Sequence, residues 1–191
     1  RSPLPKLFGA DYTKSKDSRA ALMWGTDYDI NNEATFAQGI KVIKFRNTNS
    51  DGSQPANAGT YVSTDFPLFR LAEQYLIYAE AVLRGGTGGD MTTAITYINK
   101  LRVRAYGNDD GNVASINLNF ILDERGRELY NEAFRRTDLI RFKKFTSSAY
   151  VWPWKGGIKG GTSVSDKFNL FPIPASDVAA NPQNLTQNEG Y

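Results

Sequence analysis

From Phe66 onward the apolar positions fall at helical spacing. Phe69, Ala72, Leu76, Ala79 and Leu83 step by three and four, and Leu68, Leu71, Tyr75, Tyr78 and Val82 form a second stripe beside them. Two adjacent stripes predict a helix packed on several sides, closed by Gly85 and Gly86. A second helix is predicted after Asp90, a good N-cap, with Ala94, Ile98, Leu101 and Ala105 on one face and Gly107 as its stop. The two make a helix hairpin. A third helix is predicted over 119–134, where Leu122, Gly126, Leu129 and Ala133 share a face, and a short fourth over 137–145.

The flanking stretches lack that period. Residues 1–65 read as irregular with short strands; Ile40, Val42 and Lys44 alternate with Lys41, Ile43 and Phe45 in one of them, and the Asn-, Ser- and Gly-rich stretch 47–59 reads as an exposed loop. Residues 146–166 are rich in glycine and aromatic rings, and 171–191 carry Pro172, Pro174 and Pro182 among many Asn and Gln, the pattern of an extended tail. The chain therefore divides into an irregular region (1–65) with candidate ligand-facing loops, a helical scaffold (66–145), and an aromatic loop with its tail (146–191). The fold class is mainly α.

Composition narrows the chemistry by what it lacks. The 191 residues include no Cys and no His, which excludes disulfides, thiolate nucleophiles, Ser-His-Asp triads and ordinary catalytic zinc. No cofactor is expected. Lys and Arg number 23 against 20 Asp and Glu, a formal charge of +3 with each basic cluster near acids, so nucleic acid is not an expected partner. No apolar run is long enough to span a membrane, and the chain begins at Arg, which marks it in this reading as a mature, cleaved or truncated product.

Three motifs fail on their spacing. The glycines at 85–89 and 156–161 match neither a dinucleotide nor a phosphate loop. The acidic segment 27–33 starts like a calcium loop but has Asn32 where Gly is required and Gln38 where the bidentate Glu belongs. Glu80, Glu124, Glu128 and Glu132 each have a cation three or four positions away, as does Glu73 with Arg70, so helical ion pairs account for them better than a glycosidase pair. Rings outside the helices are the remaining candidates. Trp24, Tyr28, Trp152 and Trp154 are the candidates among them, since flat rings on loops stack on sugar faces while Asn, Asp and Gln pair with hydroxyls, and such rings are equally suited to covering a helical core.

Several segments, in order, resemble the C-terminal part of the SusD/RagB family of outer-membrane nutrient-binding lipoproteins. They are Phe66–Ala81, Ile98–Arg102, Ile121–Leu129, Glu132–Arg136 with Asp138–Arg141, Leu170–Pro174, and Asn181–Pro182 with Gln187–Tyr191. Departures are local: Ala133 stands where the family often has Gly, Arg136 and Thr137 where it often has aromatic residues, and Glu189 where Pro is common. The resemblance implies a SusD-like fold with tetratricopeptide-like helix pairs, non-catalytic binding of an oligosaccharide or polysaccharide, and a SusC-like TonB-dependent transporter as partner. It also implies an outer-membrane, surface-facing protein whose only membrane attachment is a lipid anchor on an N-terminal part missing from this chain. Glu73, Glu124, Arg125, Glu128, Asp138 and Arg141 fall on motifs read as scaffold. A carboxylate glycosidase and a helical protein-binding adaptor are the alternatives from other classes.

Overall fold

A computed structural model describes residues 3–25, 27, 28, 30–32 and 34–191. It divides into two compact units, Arg1–Arg135 and Arg136–Tyr191.

The first unit is built on three helices. Helix α2 (Leu71–Leu83) packs against both α3 (Met91–Tyr106) and α4 (Leu118–Leu129). Their meeting faces bury Leu76, Ala79, Ala94, Ile98 and Ile121 completely. Helix α3 starts where its cap dictates, because the Asp90 carboxylate accepts the Thr93 N–H at 2.8 Å, and it ends with Gly107 at φ 75°, a left-handed conformation that costs glycine nothing. Asn117 caps α4 in the same way, accepting the Phe120 N–H at 2.9 Å.

Helix α2 begins five residues later than the apolar period suggests. Pro67 disfavours helical backbone at Phe66, and Arg70 stays extended (φ −133°, ψ 146°), its guanidinium bound to Glu128 and Glu132. The consequence is visible in burial. Ala72, Leu76 and Ala79 of one stripe are in the core, while Leu68, Phe69 and Leu71 are mostly exposed. Within α2 the second stripe is covered in part: Tyr75 and Tyr78 are half-buried against Tyr97 of α3, while Leu71 at the helix start is exposed. Helix α4 also stops short of 134: Tyr130 turns extended, and Asn131 (φ 59°) and Ala133 (φ 65°) take left-handed backbone that no helix can continue through.

A short N-terminal helix, α1 (Pro3–Lys6), and two 3₁₀ turns (Tyr12–Lys14 and Ser18–Leu22) lead into strand β1 (Met23–Trp24). It pairs antiparallel with β2 (Lys41–Val42), Met23 opposite Val42. Phe8, Tyr12, Ala20, Met23 and Tyr130 form a second small core, with the Tyr130 ring 6.4 Å from Phe8 and its hydroxyl donating to the Arg19 carbonyl at 2.8 Å.

The second unit opens within α5 (Arg135–Arg141) and contains one further α-helix, α6 (Ala175–Ala180), with 3₁₀ turns at Lys155–Gly157 and Asp166–Asn169. Turns and side-chain bonds hold the rest. Gln187 offers both ends of its amide to Ile173, accepting its N–H and donating to its carbonyl, each at 2.8 Å, while Asn188 donates to the Phe171 carbonyl. The Phe-Pro-Ile-Pro and Gln-Asn-Glu-Gly-Tyr segments are therefore one structure, in which an amide side chain replaces a strand's backbone ladder. No helix among the described residues is long and apolar enough to cross a membrane.

Candidate functional site

Glu124, Glu128 and Glu132 are engaged, and mostly over long range. Glu124, fully buried on α4, meets Arg102 at 2.9 Å, Arg127 at 2.8 Å and Arg19 at 2.9 Å. Glu128 meets Arg19 and Arg70 at 3.0 Å and Arg104 at 2.6 Å; Glu132 meets Arg70 at 2.8 Å and Lys44 at 2.5 Å. Burial alone would raise the Glu124 carboxyl, but the guanidiniums of Arg19, Arg127 and Arg102 outweigh it and hold the group below its ordinary range. Glu128 is lowered too, burial being outweighed by Arg104, Arg19 and Arg70. Such groups stay ionised and serve no general acid.

Of the helical pairs, Glu80–Arg84, Glu124–Arg127 and Asp138–Arg141 form at 2.8 Å. Arg70 does not pair with Glu73, since its reach goes to α4 and the turn after it. Arg125 is buried with its guanidinium 5.8 Å from the centre of the Phe134 ring.

The four ring candidates fall in three places. Trp24 is 53% exposed on β1 and borders a groove of about 370 Å³ with Tyr12 and Met23. Tyr28 is partly buried, its ring 6.0 Å from Tyr12 at a steep angle, packed on the small second core. Trp152 and Trp154 come together in the second unit, where they line a cleft of about 700 Å³. Asp29 and Glu33 of the calcium-like segment lie outside the described residues.

The cleft is shaped by a tight loop. The Trp154 N–H donates to the Ile158 carbonyl at 3.1 Å, and the Thr162 N–H to the Lys155 carbonyl at 3.1 Å. Gly161 has φ 76°, and a Cβ there would stand 2.2 Å from the Trp152 carbonyl oxygen, so only glycine fits. Lys155 is buried beneath the Trp152 ring, 4.7 Å from its centre, and donates to the Ser147 and Tyr150 carbonyls at 2.7 and 2.8 Å. Burial pushes its pKa down. The Phe145 ring lies 6.1 Å from Trp152, extending an apolar wall.

Trp154 holds two unusual features together. Its backbone is left-handed (φ 67°), strained for a bulky residue, and its indole N–H is buried with no hydrogen-bond acceptor among the described residues. The strained backbone fixes the indole on the cleft wall, and the buried N–H faces the protein and not the open cleft. No Asp or Glu side chain lines this cleft. The arrangement offers ring faces for stacking, hydroxyls from Thr162 and Ser163, and donors, with no pair of carboxylates to cleave a glycosidic bond.

Sequence reasoning missed Arg136, Phe145, Lys155 and Phe171 as cleft residues. The Trp-Pro-Trp-Lys run at 152–155 was the one local signal for Lys155; the others reach the cleft only through folding.

A mainly helical, loop-rich scaffold with an aromatic cleft and no catalytic constellation there is the class of a small-ligand binder. The SusD family model matches residues 7–191, and the chain belongs to that family. It is 47% identical over 156 residues to the starch-binding protein SusD of Bacteroides thetaiotaomicron, a match covering 82% of this chain and 27% of that protein. The fold matches a SusD-superfamily protein of Bacteroides vulgatus with a TM-score of 0.64 at 27% identity, over 94% of this chain and 37% of the other. It also matches surface glycan-binding protein A of B. thetaiotaomicron, solved with laminarihexaose, with a TM-score of 0.59 at 24% identity, over 93% and 39% of the two chains. The chain thus spans well under half the length of these relatives.

Proposed function

We propose that the chain is part of a non-catalytic glycan-binding lipoprotein of the outer-membrane surface, which captures oligosaccharide and passes it to a SusC-like TonB-dependent transporter. The observation that carries the binding step is the Trp152–Trp154 cleft, whose aromatic walls suit a sugar face and whose Thr162 and Ser163 hydroxyls suit its polar edge. The identity to a starch-binding protein supports the ligand class. Membrane location and the transporter follow from family membership alone.

Binding without cleavage suits a cleft free of carboxylates. Affinity is modest in this reading, because an open, wet site leaves little surplus after ordering costs. Isothermal titration with oligosaccharides, followed by product analysis of the same mixtures, tests it. Saturable heat with unchanged glycan is the expected result; new reducing ends, or no heat with any glycan, overturns it.

A further inference from the structure

The two cations lining the cleft, Arg136 and Lys155, have no carboxylate partner among the described residues. Arg136 sits with its guanidinium 4.0 Å from the centre of the Phe171 ring and 5.1 Å from that of Phe145. One of its nitrogens, Nη2, donates to the Phe168 carbonyl at 2.7 Å. Its other donors meet no acceptor, and the group meets no carboxylate, among the described residues. Lys155 is likewise bound only to carbonyls and a ring. Elsewhere in this protein buried or half-buried arginines such as Arg19, Arg70 and Arg102 each have carboxylate partners. The second unit holds seven basic residues against four acidic, an excess of three that equals the charge of the whole chain.

We propose that this cleft takes glycans bearing an anionic group, a carboxylate or a sulfate ester, with Arg136 as its receptor. The proposal rests on reading the cleft as the glycan site and names the class of glycan. The physics is direct. A guanidinium that rests against two rings and one carbonyl is restrained, and its unused N–H groups match the paired oxygens of a carboxylate or sulfate. The rings also keep water from one side of the charge, so an anion is worth more there than on open surface. Lys155 adds positive potential beneath Trp152, and no Asp or Glu side chain on the lining repels the ligand.

The test titrates the 191-residue chain with four oligosaccharides of matched length: an oligogalacturonate, a sulfated galactan fragment, a maltooligosaccharide and a laminarioligosaccharide. Each is measured at about 0.05 M and about 0.5 M NaCl, which changes screening strongly. The expected result is at least about tenfold tighter binding of one or both acidic ligands at low salt, with the advantage collapsing at high salt. Whether the carboxylate or the sulfate arm responds identifies the anion. Arg136→Gln should reduce the ratio of acidic to neutral affinity to about one, and Arg136→Lys should retain part of it, as a point charge without the fork. Should Arg136→Gln fail to fold, the salt dependence of the unmodified chain decides the matter. Equal, salt-insensitive binding of neutral and acidic ligands overturns this inference and leaves glycan binding standing. Binding of none of the four overturns the glycan reading itself.

Discussion

Arg19 and Glu128 stand 109 positions apart in sequence and 3.0 Å apart in the fold. The same guanidinium meets Glu124 at 2.9 Å and Asp17 at 2.6 Å, and all four side chains are buried. Through this cluster the irregular N-terminal segment is fastened to α4. The cluster works beside the small apolar core that Phe8, Tyr12, Ala20 and Met23 build on Tyr130.

Glu128→Gln should lower the stability of the chain by about 1.5–3 kcal/mol, because it removes the charge that Arg19, Arg70 and Arg104 share, while Asp17 and Glu124 still hold Arg19 and Glu132 still holds Arg70. Urea unfolding followed by far-ultraviolet circular dichroism measures it. A loss below about 1 kcal/mol would place the network with solvent-exposed pairs.

Acid should unfold the first unit through the same groups. Glu124 and Glu128 have folded pKa values below the ordinary 4.5, so the unfolded chain binds more protons as pH falls. Their stabilisation is therefore complete above that ordinary value and is lost progressively as pH falls through the folded values. Melting temperature against pH should drop below about pH 4.5, and the double variant Glu124→Gln/Glu128→Gln should show a flatter curve from a lower plateau.

Ala133→Gly should stabilise the chain. Ala133 is exposed at φ 65°, where a Cβ is strained and glycine is not. The expected gain is roughly 1 kcal/mol, the strain relieved less the added freedom of the unfolded chain, read as a rise in melting temperature.

Trp154→Phe separates ligand contact from folding. It keeps a ring in the cleft and removes an N–H that no described residue accepts, so the melting temperature should hold or rise. Glycan affinity should fall roughly fivefold, because the smaller ring offers less stacking area to a sugar face. A destabilised variant with unchanged affinity would mean the N–H serves the protein.

Gly161→Ala should disable the cleft selectively. Its Cβ would collide with the Trp152 carbonyl, so the loop must open, changing the near-ultraviolet signal of the tryptophans and abolishing binding. The helical signal of the first unit should be retained.

The helices of the first unit were legible in the residues themselves. Apolar spacing, the Asp90 cap and the Gly107 stop are local instructions, and α3 follows them to within a residue. The family was legible in the order of its motifs. Helix ends were less so: Arg70 is pulled extended by partners on α4 and beyond it, and Ala133 is left-handed with no glycine to announce it. Long-range pairing was hidden entirely, since helical spacing offers Glu73 to Arg70 while the fold supplies Glu128 and Glu132, whose charges are buried and bind more strongly. The same holds for the cleft. Trp152 and Trp154 could be named from composition, but Arg136, Phe145 and Phe171 converge on them only because carbonyls, amides and ring faces with no sequence period tie the loop and tail together. Periodicity records what a residue's near neighbours require, and a site assembled from irregular backbone has no period to record.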